Sequence, residues 1–282
     1  MKRTVPSART SGSASSYVGS TSSYVGSTSS YVGSTSSYVG SAFRRICILT
    51  AVCLLGGALP VHAQRGGRGG VPPTTPLLAS PIDLTGYWVS VVTEDWKFRM
   101  VTPNNGELGA LPLNPEGQRI AKTWDSAKDE AAGEQCRAYG APAIMRIPGR
   151  LHVTWQDDTT LKIETDAGTQ TRLLRFGGAA PAGEPSWQGN STAQWNAAGR
   201  SLKVVTNNIR PGYVRKNGAP YSNKAVVTEY FDLNALPNGD QWLTVTTKVE
   251  DPVYFTRPLM TSSDFKKLPT AAAWNPTPCS VK

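Results

Sequence analysis

The sequence predicts an all-β protein built as an antiparallel barrel of about eight or nine strands, and three observations support this class. Apolar and polar residues alternate in short segments after residue 83, as from Leu151 to Trp155, which is typical of strands with one buried face. Turn signals such as Asn238-Gly239 separate these segments at hairpin spacing. Helical signals occur mainly over 114–135. We therefore expect a closed or nearly closed barrel rather than a mixed fold.

The individual elements follow in chain order from the same signals. Asn114 is placed to cap a short helix that has Pro115 at its first position, and a second, polar helix follows over 126–135. Two loops rich in Gly and Pro, 177–186 and 211–222, are long enough to form the mouth of a barrel. The predicted strands are 87–92, 97–103, 151–156, 161–165, 169–176, 191–195, 201–206, 225–233 and 241–250.

The N-terminal region predicts export. Arg44 and Arg45 precede an apolar run over 46–59, and a small residue, Ala63, stands just before Gln64. This order of basic, apolar and small residues is that of a signal peptide over 43–63, with cleavage between Ala63 and Gln64. The apolar run is too short for an ordinary membrane-spanning helix. The mature protein is therefore predicted to be periplasmic or secreted, with no membrane span.

The other segments of the chain are assigned from composition. Residues 1–42 form a low-complexity leader, in which Ser-Ser-Tyr-Val-Gly-Ser-Thr repeats every seven residues. Either the true translation start lies inside this repeat, or the leader is a disordered extension. Residues 64–82 contain Arg65-Gly66-Gly67-Arg68 and several prolines, which predicts a flexible linker. Residues 83–282 form the single β-barrel domain.

The charge balance gives no support for nucleic-acid binding. Of the 29 Lys and Arg residues, five lie in residues 1–63, which leaves 24 against 20 acidic residues after cleavage. Such a balance is ordinary for a solvated surface. We predict no nucleic-acid partner, and the sequence does not determine the oligomeric state.

Two cysteines, Cys136 and Cys279, remain after cleavage. In an oxidising compartment a lone pair of cysteines usually forms one disulfide, and we predict that bond here. A reactive thiol is the alternative.

Histidine content excludes several kinds of catalytic site. Once His62 is removed with the signal peptide, His152 is the single histidine left, so a multi-histidine metal site and a Ser-His-Asp triad have little support. The sequence also lacks the glycine-rich phosphate-binding motifs. We predict no metal and no cofactor.

The candidate site consists of charged residues that share strand faces with apolar ones. Glu229 is in phase with Val227 and Phe231 on the strand 225–233, and we place Glu164 and Arg172 on one face of the neighbouring hairpin. A carboxylate on an apolar face is costly unless it is paired. An inward pair, Glu229 with Arg172 or Glu164 with Arg172, could anchor a ligand or be purely structural, and Glu229 could also act as an acid or base.

Tryptophans provide candidate walls for an apolar cavity. All eight lie after residue 63, and Trp155, Trp187 and Trp195 lie on or beside predicted strands. Aromatic rings of this kind line binding cavities in some barrels and fill the core in others.

Gly86-Tyr87-Trp88, Ser186-Trp187-Gln188-Gly189 and Val227-Thr228-Glu229-Tyr230-Phe231 are the longest of several motifs with a common resemblance. They resemble those of a large group of exported, mostly uncharacterised bacterial proteins with lipocalin-like β-barrels. The similarity covers roughly 83–267 and implies a lipocalin-like fold and export, without an established activity. Glu229 matches the group, whereas Asn190 stands where some relatives have histidine, so chemistry built on that histidine does not carry over. The shared motifs are Gly86-Tyr87-Trp88, Cys136 with Gly140-Ala141-Pro142 and Pro148, Ser186-Trp187-Gln188-Gly189 with Ser191 and Trp195, Leu202, Val204 and Thr206, Val227-Thr228-Glu229-Tyr230-Phe231, and Asp251-Pro252 with Thr256 and Pro258.

The function predicted from the sequence is binding of a small apolar or aromatic molecule in a barrel cavity. Glu164, Arg172 and Glu229 would be its polar anchors, and Trp155, Trp187 and Trp195 its apolar walls. One alternative is a cofactor-independent isomerase, lyase or hydrolase that uses Glu229 as acid or base. Another alternative is a structural protein of the cell envelope.

Overall fold

The computed structural model describes residues 74–178, 183–196, 198 and 200–281. The predicted leader, the signal peptide and the cleavage site at Ala63 and Gln64 lie outside the described residues. Within the described ranges, no helix combines the length and the apolar character that a membrane crossing requires.

Eleven strands and three α-helices make up the described structure, together with two short 3-10 helices. The helices are α1 (Trp96–Met100), α2 (Pro115–Thr123) and α3 (Ser126–Ala131), and the 3-10 helices are Gln135–Tyr139 and Ile144–Arg146. The strands are β1 (Gly86–Val91), β2 (Arg150–Asp157), β3 (Thr160–Thr165), β4 (Thr171–Phe176), β5 (Asn190–Asn196), β6 (Ser201–Asn207), β7 (Gly212–Arg215), β8 (Ala219–Tyr221), β9 (Val226–Ala235), β10 (Gln241–Glu250) and β11 (Leu259–Leu268).

Nine of the strands close into a barrel in the order β1-β11-β10-β9-β6-β5-β4-β3-β2. The predicted all-β barrel is thus confirmed. Neighbouring strands are antiparallel with one exception, since β5 runs parallel to β4. Parallel neighbours need a connection that returns along the strand, which explains why the chain between them, 177–189, is long. The remaining strands, β7 and β8, form a separate hairpin.

The helical insertion near 114–135 is also confirmed. The Asn114 side chain accepts a hydrogen bond from the Gly117 backbone N–H at 2.9 Å, and Pro115 occupies the first helical position. Both features stabilise the start of α2, because they satisfy or avoid the unpaired N–H groups of a helix N-terminus.

Three parts of the strand prediction were wrong or incomplete. Residues 97–103 begin as helix α1 rather than a strand. The predicted loop 211–222 contains the β7–β8 hairpin. Strand β11 was missed because Ser263 takes an inward, fully buried position beside Phe265, so apolar alternation is weak in the sequence although the strand closes the barrel.

Inward-facing side chains fill the barrel with one apolar core cluster. Trp88, Leu202, Phe231, Val245 and Phe265 belong to it, and each is at most 1 % exposed. Burying each such side chain contributes about 1.5–3 kcal/mol relative to leaving it in water. Trp88 also donates its indole N–H to the Leu84 carbonyl at 2.9 Å, so its burial leaves no polar atom unpaired.

A second core cluster lies at the end of the barrel where β9 begins and β10 ends. There, Val227 and Val249 pack with Val214 and Tyr221 of the β7–β8 hairpin and with Ala121 of α2. We call this the capped end of the barrel, because the hairpin, the helices and the 3-10 helices pack against it.

A disulfide joins Cys136 to Cys279 across 143 positions of sequence, with the two Cα atoms 5.1 Å apart. This confirms the predicted pairing. The bond ties the C-terminal segment to the first 3-10 helix at the capped end. Two backbone N–H groups support the attachment, because Thr277 donates to the Asp166 carbonyl at 2.8 Å and Ser280 donates to the Tyr139 hydroxyl at 3.2 Å.

The predicted linker 64–82 includes a described part, 74–82, that packs on the barrel. Ile82 belongs to the main core, and the Leu77 backbone N–H donates to the Asp158 carbonyl at 3.2 Å. The Pro76 carbonyl accepts the indole N–H of Trp195 at 2.8 Å. These contacts lie at the end of the barrel opposite the capped end.

Candidate functional site

Glu229 and Arg172 form an ion pair inside the barrel, as one of the sequence-based alternatives proposed. Arg172 Nη1 lies 2.9 Å from Glu229 Oε1, and Nη2 lies 2.5 Å from Oε2. Both side chains are 0 % exposed. Arg172 Nη2 also donates to Thr206 Oγ1 at 3.4 Å, and that hydroxyl lies 2.7 Å from Ser191 Oγ. The bidentate geometry and the hydroxyl contact offset much of the cost of burying two charges, and Arg172 Nε is buried without a hydrogen-bond partner among the described residues.

The alternative pair of Glu164 with Arg172 was wrong. In the register between β3 and β4, Arg172 lies opposite Ile163 and Glu164 lies opposite Thr171, which puts the two side chains on different faces of the sheet. Glu164 instead contacts two residues of the outer face, Lys162 at 3.1 Å and His152 at 3.2 Å.

His152 belongs to an aromatic group on the outside of the barrel. Its ring stacks on Tyr87 with centroids 4.1 Å apart, and the Trp274 ring meets both edge-on. The cluster is built from β1, β2 and the C-terminal segment, and it lies away from the buried ion pair.

The three candidate tryptophans fall in two places. Trp155 and Trp195 pack with Phe176 at the opposite end of the barrel, with ring centroids 5.2–6.4 Å apart. Trp187 lies in the connection between β4 and β5, where the Arg210 guanidinium stands 4.3 Å from its ring centroid. The residues proposed from the sequence therefore do not meet in a single site.

A cleft at the capped end has a volume of about 640 Å³. This is within the usual range for small-molecule sites, roughly 300–1,000 Å³. Four segments form its walls, namely 98–103, 138–148, 214–216 and 277–280, and Ala167 adds a further contact. Its apolar lining includes Phe98, Met100, Val101, Ile147, Pro148 and Val214.

The charged lining of the cleft is cationic. Arg99, Arg146, Arg215 and Lys216 contribute to the walls, and within the described part of the chain no acidic residue does. The Lys216 ammonium lies 4.9 Å from the centroid of the Tyr139 ring, which also lines the cleft. A cavity lined by one sign of charge between low-dielectric walls concentrates the field and attracts ions of the opposite sign.

Asp95 does not line this cleft but holds two of its arginines in place. Its Oδ2 accepts from Arg146 Nη2 at 2.7 Å and from Arg215 Nη2 at 3.3 Å. The backbone of Asp95 is left-handed, with φ of 52°, a conformation that non-glycine residues adopt at a cost. The ion pairs with Arg146 and Arg215 hold Asp95 in this conformation.

Arg99 is the most deeply buried of the four cations. Its Nη1 lies 2.5 Å from Glu94 Oε1 and its Nε donates to the Arg146 carbonyl at 2.9 Å. Its Nη2 is buried and finds no hydrogen-bond partner among the described residues. Burial lowers the pKa of Arg99, and the positive charge of Arg146 lowers it further, while Glu94 opposes both.

Arg215 resembles Arg99 in its surroundings. Burial is again the largest cause that lowers its pKa, and the charge of Arg146 lowers it further while Asp95 raises it. Its Nη1 donates to the Leu108 carbonyl at 2.7 Å, and its guanidinium stacks 4.2 Å from the Phe98 ring centroid. Guanidinium groups remain charged under such conditions, so the cleft keeps its positive character.

A smaller cleft of about 210 Å³ shares Arg146, Arg215 and Val214 with the first. Asp95 also lines it, together with Met260 of β11. Arg146 and Arg215 therefore line both clefts.

Sequence reasoning did not identify the cationic cleft. Its arginines come from three segments far apart in the chain, two of them assigned to a strand or a loop. A signal was nevertheless present for two of the arginines, because Arg99 stands between Phe98 and Met100 and Arg146 stands between Met145 and Ile147. A charge repeatedly embedded in apolar surroundings indicates a paired or functional group.

No protein-family model, no curated protein and no solved structure matches this chain. The resemblance to exported lipocalin-like proteins accordingly stays a prediction, and the case for a function rests on the geometry of the capped end.

Proposed function

We propose that the protein binds a small, largely apolar molecule after export, and that the ligand occupies the 640 Å³ cleft at the capped end of the barrel. The observation that carries the proposal is the lining of that cleft, in which aromatic and aliphatic side chains surround a few fixed polar groups. This combination is typical of small-molecule sites. The predicted signal peptide and the disulfide between Cys136 and Cys279 support a role outside the cytoplasm.

The ligand is assigned to the cleft and not, as expected from the sequence, to the barrel interior. Glu229 and Arg172 line neither of the two clefts described, and each already has its partner in the other. The interior-facing apolar side chains pack into two core clusters, one along the barrel and one at its capped end. A ligand beside Glu229 would have to displace part of that core, at a cost of several kcal/mol.

Binding is favoured over acid–base catalysis by the nature of the lining. Among the described residues, the cleft has no carboxylate or histidine side chain in its walls, and these are the groups that most often act as general bases, also towards a serine nucleophile. The guanidinium groups and apolar side chains that it does present are suited to holding a molecule in position.

Titration with Nile red, a neutral apolar dye whose fluorescence rises in apolar surroundings, tests the proposal. The wild-type protein is expected to bind the dye with one saturable site. Thr102→Trp should weaken binding about tenfold or more, because Thr102 lines the cleft on its exposed side and a larger ring there fills the space. Val253→Trp is the matched control, since Val253 is exposed and lines neither cleft.

Equal binding by wild type and Thr102→Trp would place the dye elsewhere and overturn the proposal. Mass spectrometry under native conditions, on protein purified from its own host, adds a direct readout. A co-purifying small molecule that is lost in Thr102→Trp and retained in Val253→Trp is the expected result.

A further inference from the structure

We infer that the ligand of the cleft is an amphiphile with an anionic oxygen head group, a carboxylate or a phosphate monoester, and an apolar tail. The inference rests on the proposed function and specifies the class of ligand. It is carried by the arginine cluster formed by Arg99, Arg146 and Arg215, together with Lys216 and the apolar rim.

The charge balance at the cleft is the first step. The acids that bind the cluster directly are Glu94, which pairs with Arg99, and Asp95, which pairs with Arg146 and Arg215. Asp264 also acts on Arg99 and Glu107 on Arg215, but none of these four acids lines the cleft, whereas Arg99, Arg146, Arg215 and Lys216 do. The charged groups that the cleft presents are therefore cationic, and they attract an anionic group.

The second step concerns the unsatisfied donors of the cluster. Within the described part of the chain, Arg99 Nη2 and Arg215 Nε are buried without a hydrogen-bond acceptor. Leaving buried donors of charged groups unpaired is costly. Both atoms are closed to solvent, so an oxyanion in the cleft becomes their acceptor only when these side chains reorient towards it. Guanidinium groups suit this task because their planar donors match carboxylate and phosphate oxygens.

The third step is the direction in which the ligand lies. Arg99 and Arg215 form the buried part of the wall, whereas Met100 and Val101, which also line the cleft, are 59 % and 60 % exposed. Two adjacent exposed apolar side chains beside the cleft offer a surface that an apolar tail can cover. The head group accordingly lies against the arginines, and the tail runs past Met100 and Val101 towards solvent.

Isothermal titration calorimetry with C12 probes tests the inference, with every probe kept below its micelle concentration. The probes are dodecanoate, dodecyl phosphate, dodecan-1-ol and dodecyltrimethylammonium, and inorganic phosphate is included without a tail. At least one of the two anionic amphiphiles should bind about tenfold or more tightly than the alcohol and the cation, as a charge-assisted contact predicts. The order of dodecanoate and dodecyl phosphate identifies the preferred head group.

Variants assign the effect to the cluster. Arg146→Gln and Lys216→Gln should each reduce the ratio of anion affinity to dodecan-1-ol affinity to about threefold or less, and the ratio corrects for any general change in the shape of the cleft. Arg146→Lys keeps the charge and should retain most of the preference. Arg119→Gln is the matched control, because Arg119 is an exposed arginine on α2 that pairs with Glu116 outside the cleft.

The outcomes separate this inference from the proposed function. Tight binding of dodecan-1-ol with no preference for the anions overturns the anionic head group and leaves the cleft as an apolar site. Inorganic phosphate that binds as tightly as dodecyl phosphate overturns the need for a tail. Failure of every probe, together with failure of Nile red, overturns the proposed function itself.

Discussion

At the scale of single residues, the ion pair of Arg172 with Glu229 is the most consequential polar contact in the core. Both groups are completely buried and bind each other through two hydrogen bonds. The attraction between them offsets a large loss of hydration, and removal of one partner leaves an uncompensated buried charge. The pair therefore sets the position of β4 against β9 across the barrel interior.

Glu229→Gln should lower the free energy of unfolding by about 3–5 kcal/mol, because Arg172 would then be buried with a neutral partner. Urea denaturation followed by tryptophan fluorescence measures the change. The double variant Arg172→Met/Glu229→Leu is expected to recover much of the loss, since it removes both charges. A single variant as stable as wild type would show that water reaches the pair.

Gly168 is a second residue whose identity the fold requires. Its φ is +78°, and a Cβ added there would lie 2.2 Å from the Tyr139 ring, which lines the cleft. Gly239 has a similar φ of +87° with open space around it. Alanine at either position would therefore have a strained left-handed backbone, but only alanine at position 168 would also clash with the Tyr139 ring.

Gly239→Ala should cost about 1–2 kcal/mol of unfolding free energy, from left-handed strain alone. Gly168→Ala should cost about 1–3 kcal/mol more, because the Tyr139 ring has to move. Thermal or urea unfolding of both variants measures the difference. Equal losses would mean that the Tyr139 ring moves at little cost in free energy, so that this wall of the cleft is easily deformed.

At the scale of elements, the C-terminal segment is held by the disulfide and forms one wall of the cleft. Thr277, Pro278 and Ser280 line the cleft and flank Cys279. Closure of so long a loop restricts the unfolded chain, which in the entropic model stabilises the fold by about 5 kcal/mol, although measured values are often lower. The bond thus links the stability of the domain to the shape of its cleft.

Cys136→Ser/Cys279→Ser should lower the unfolding free energy by about 2–5 kcal/mol and weaken Nile red binding at temperatures where the domain stays folded. Calorimetry gives the first quantity and dye titration the second. Wild-type protein under reducing conditions is the parallel sample. Unchanged dye binding in the folded double variant would show that the C-terminal segment does not contribute to the binding site.

The elements also show what the sequence could and could not reveal. Strands β2, β3, β9 and β10 were predictable because one face is apolar and the other polar. Strand β11 was hidden because its inward positions include Ser263, and α1 was taken for a strand because five residues carry too little helical periodicity. Strand phase placed Glu229 on the apolar face of its strand and left inward pairing as one alternative, whereas the phase of Glu164 relative to Arg172 depends on the turn at 166–169 and was predicted wrongly.

At the scale of the whole molecule, the two ends of the barrel differ in construction. The capped end combines the β7–β8 hairpin, the 3-10 helices, α1 and the disulfide-bound C-terminal segment, and it contains the cationic cleft. The opposite end is filled by Trp155, Phe176 and Trp195, and the Pro76 carbonyl accepts the indole N–H of Trp195. No local sequence pattern brings Arg99, Arg146 and Arg215 together, because only closure of the barrel places their segments side by side.

The end of the barrel at which the ligand binds can be identified directly with a C12 carboxylate that carries a photoreactive diazirine in its tail. After illumination, peptide mass spectrometry locates the labelled residues in wild type and in Thr102→Trp. We expect labels on 98–103 and 277–280, at the capped end, and loss of these labels in the variant. Labels concentrated on Trp155, Phe176 or Trp195 would place the ligand at the opposite end and refute a binding site in the cationic cleft.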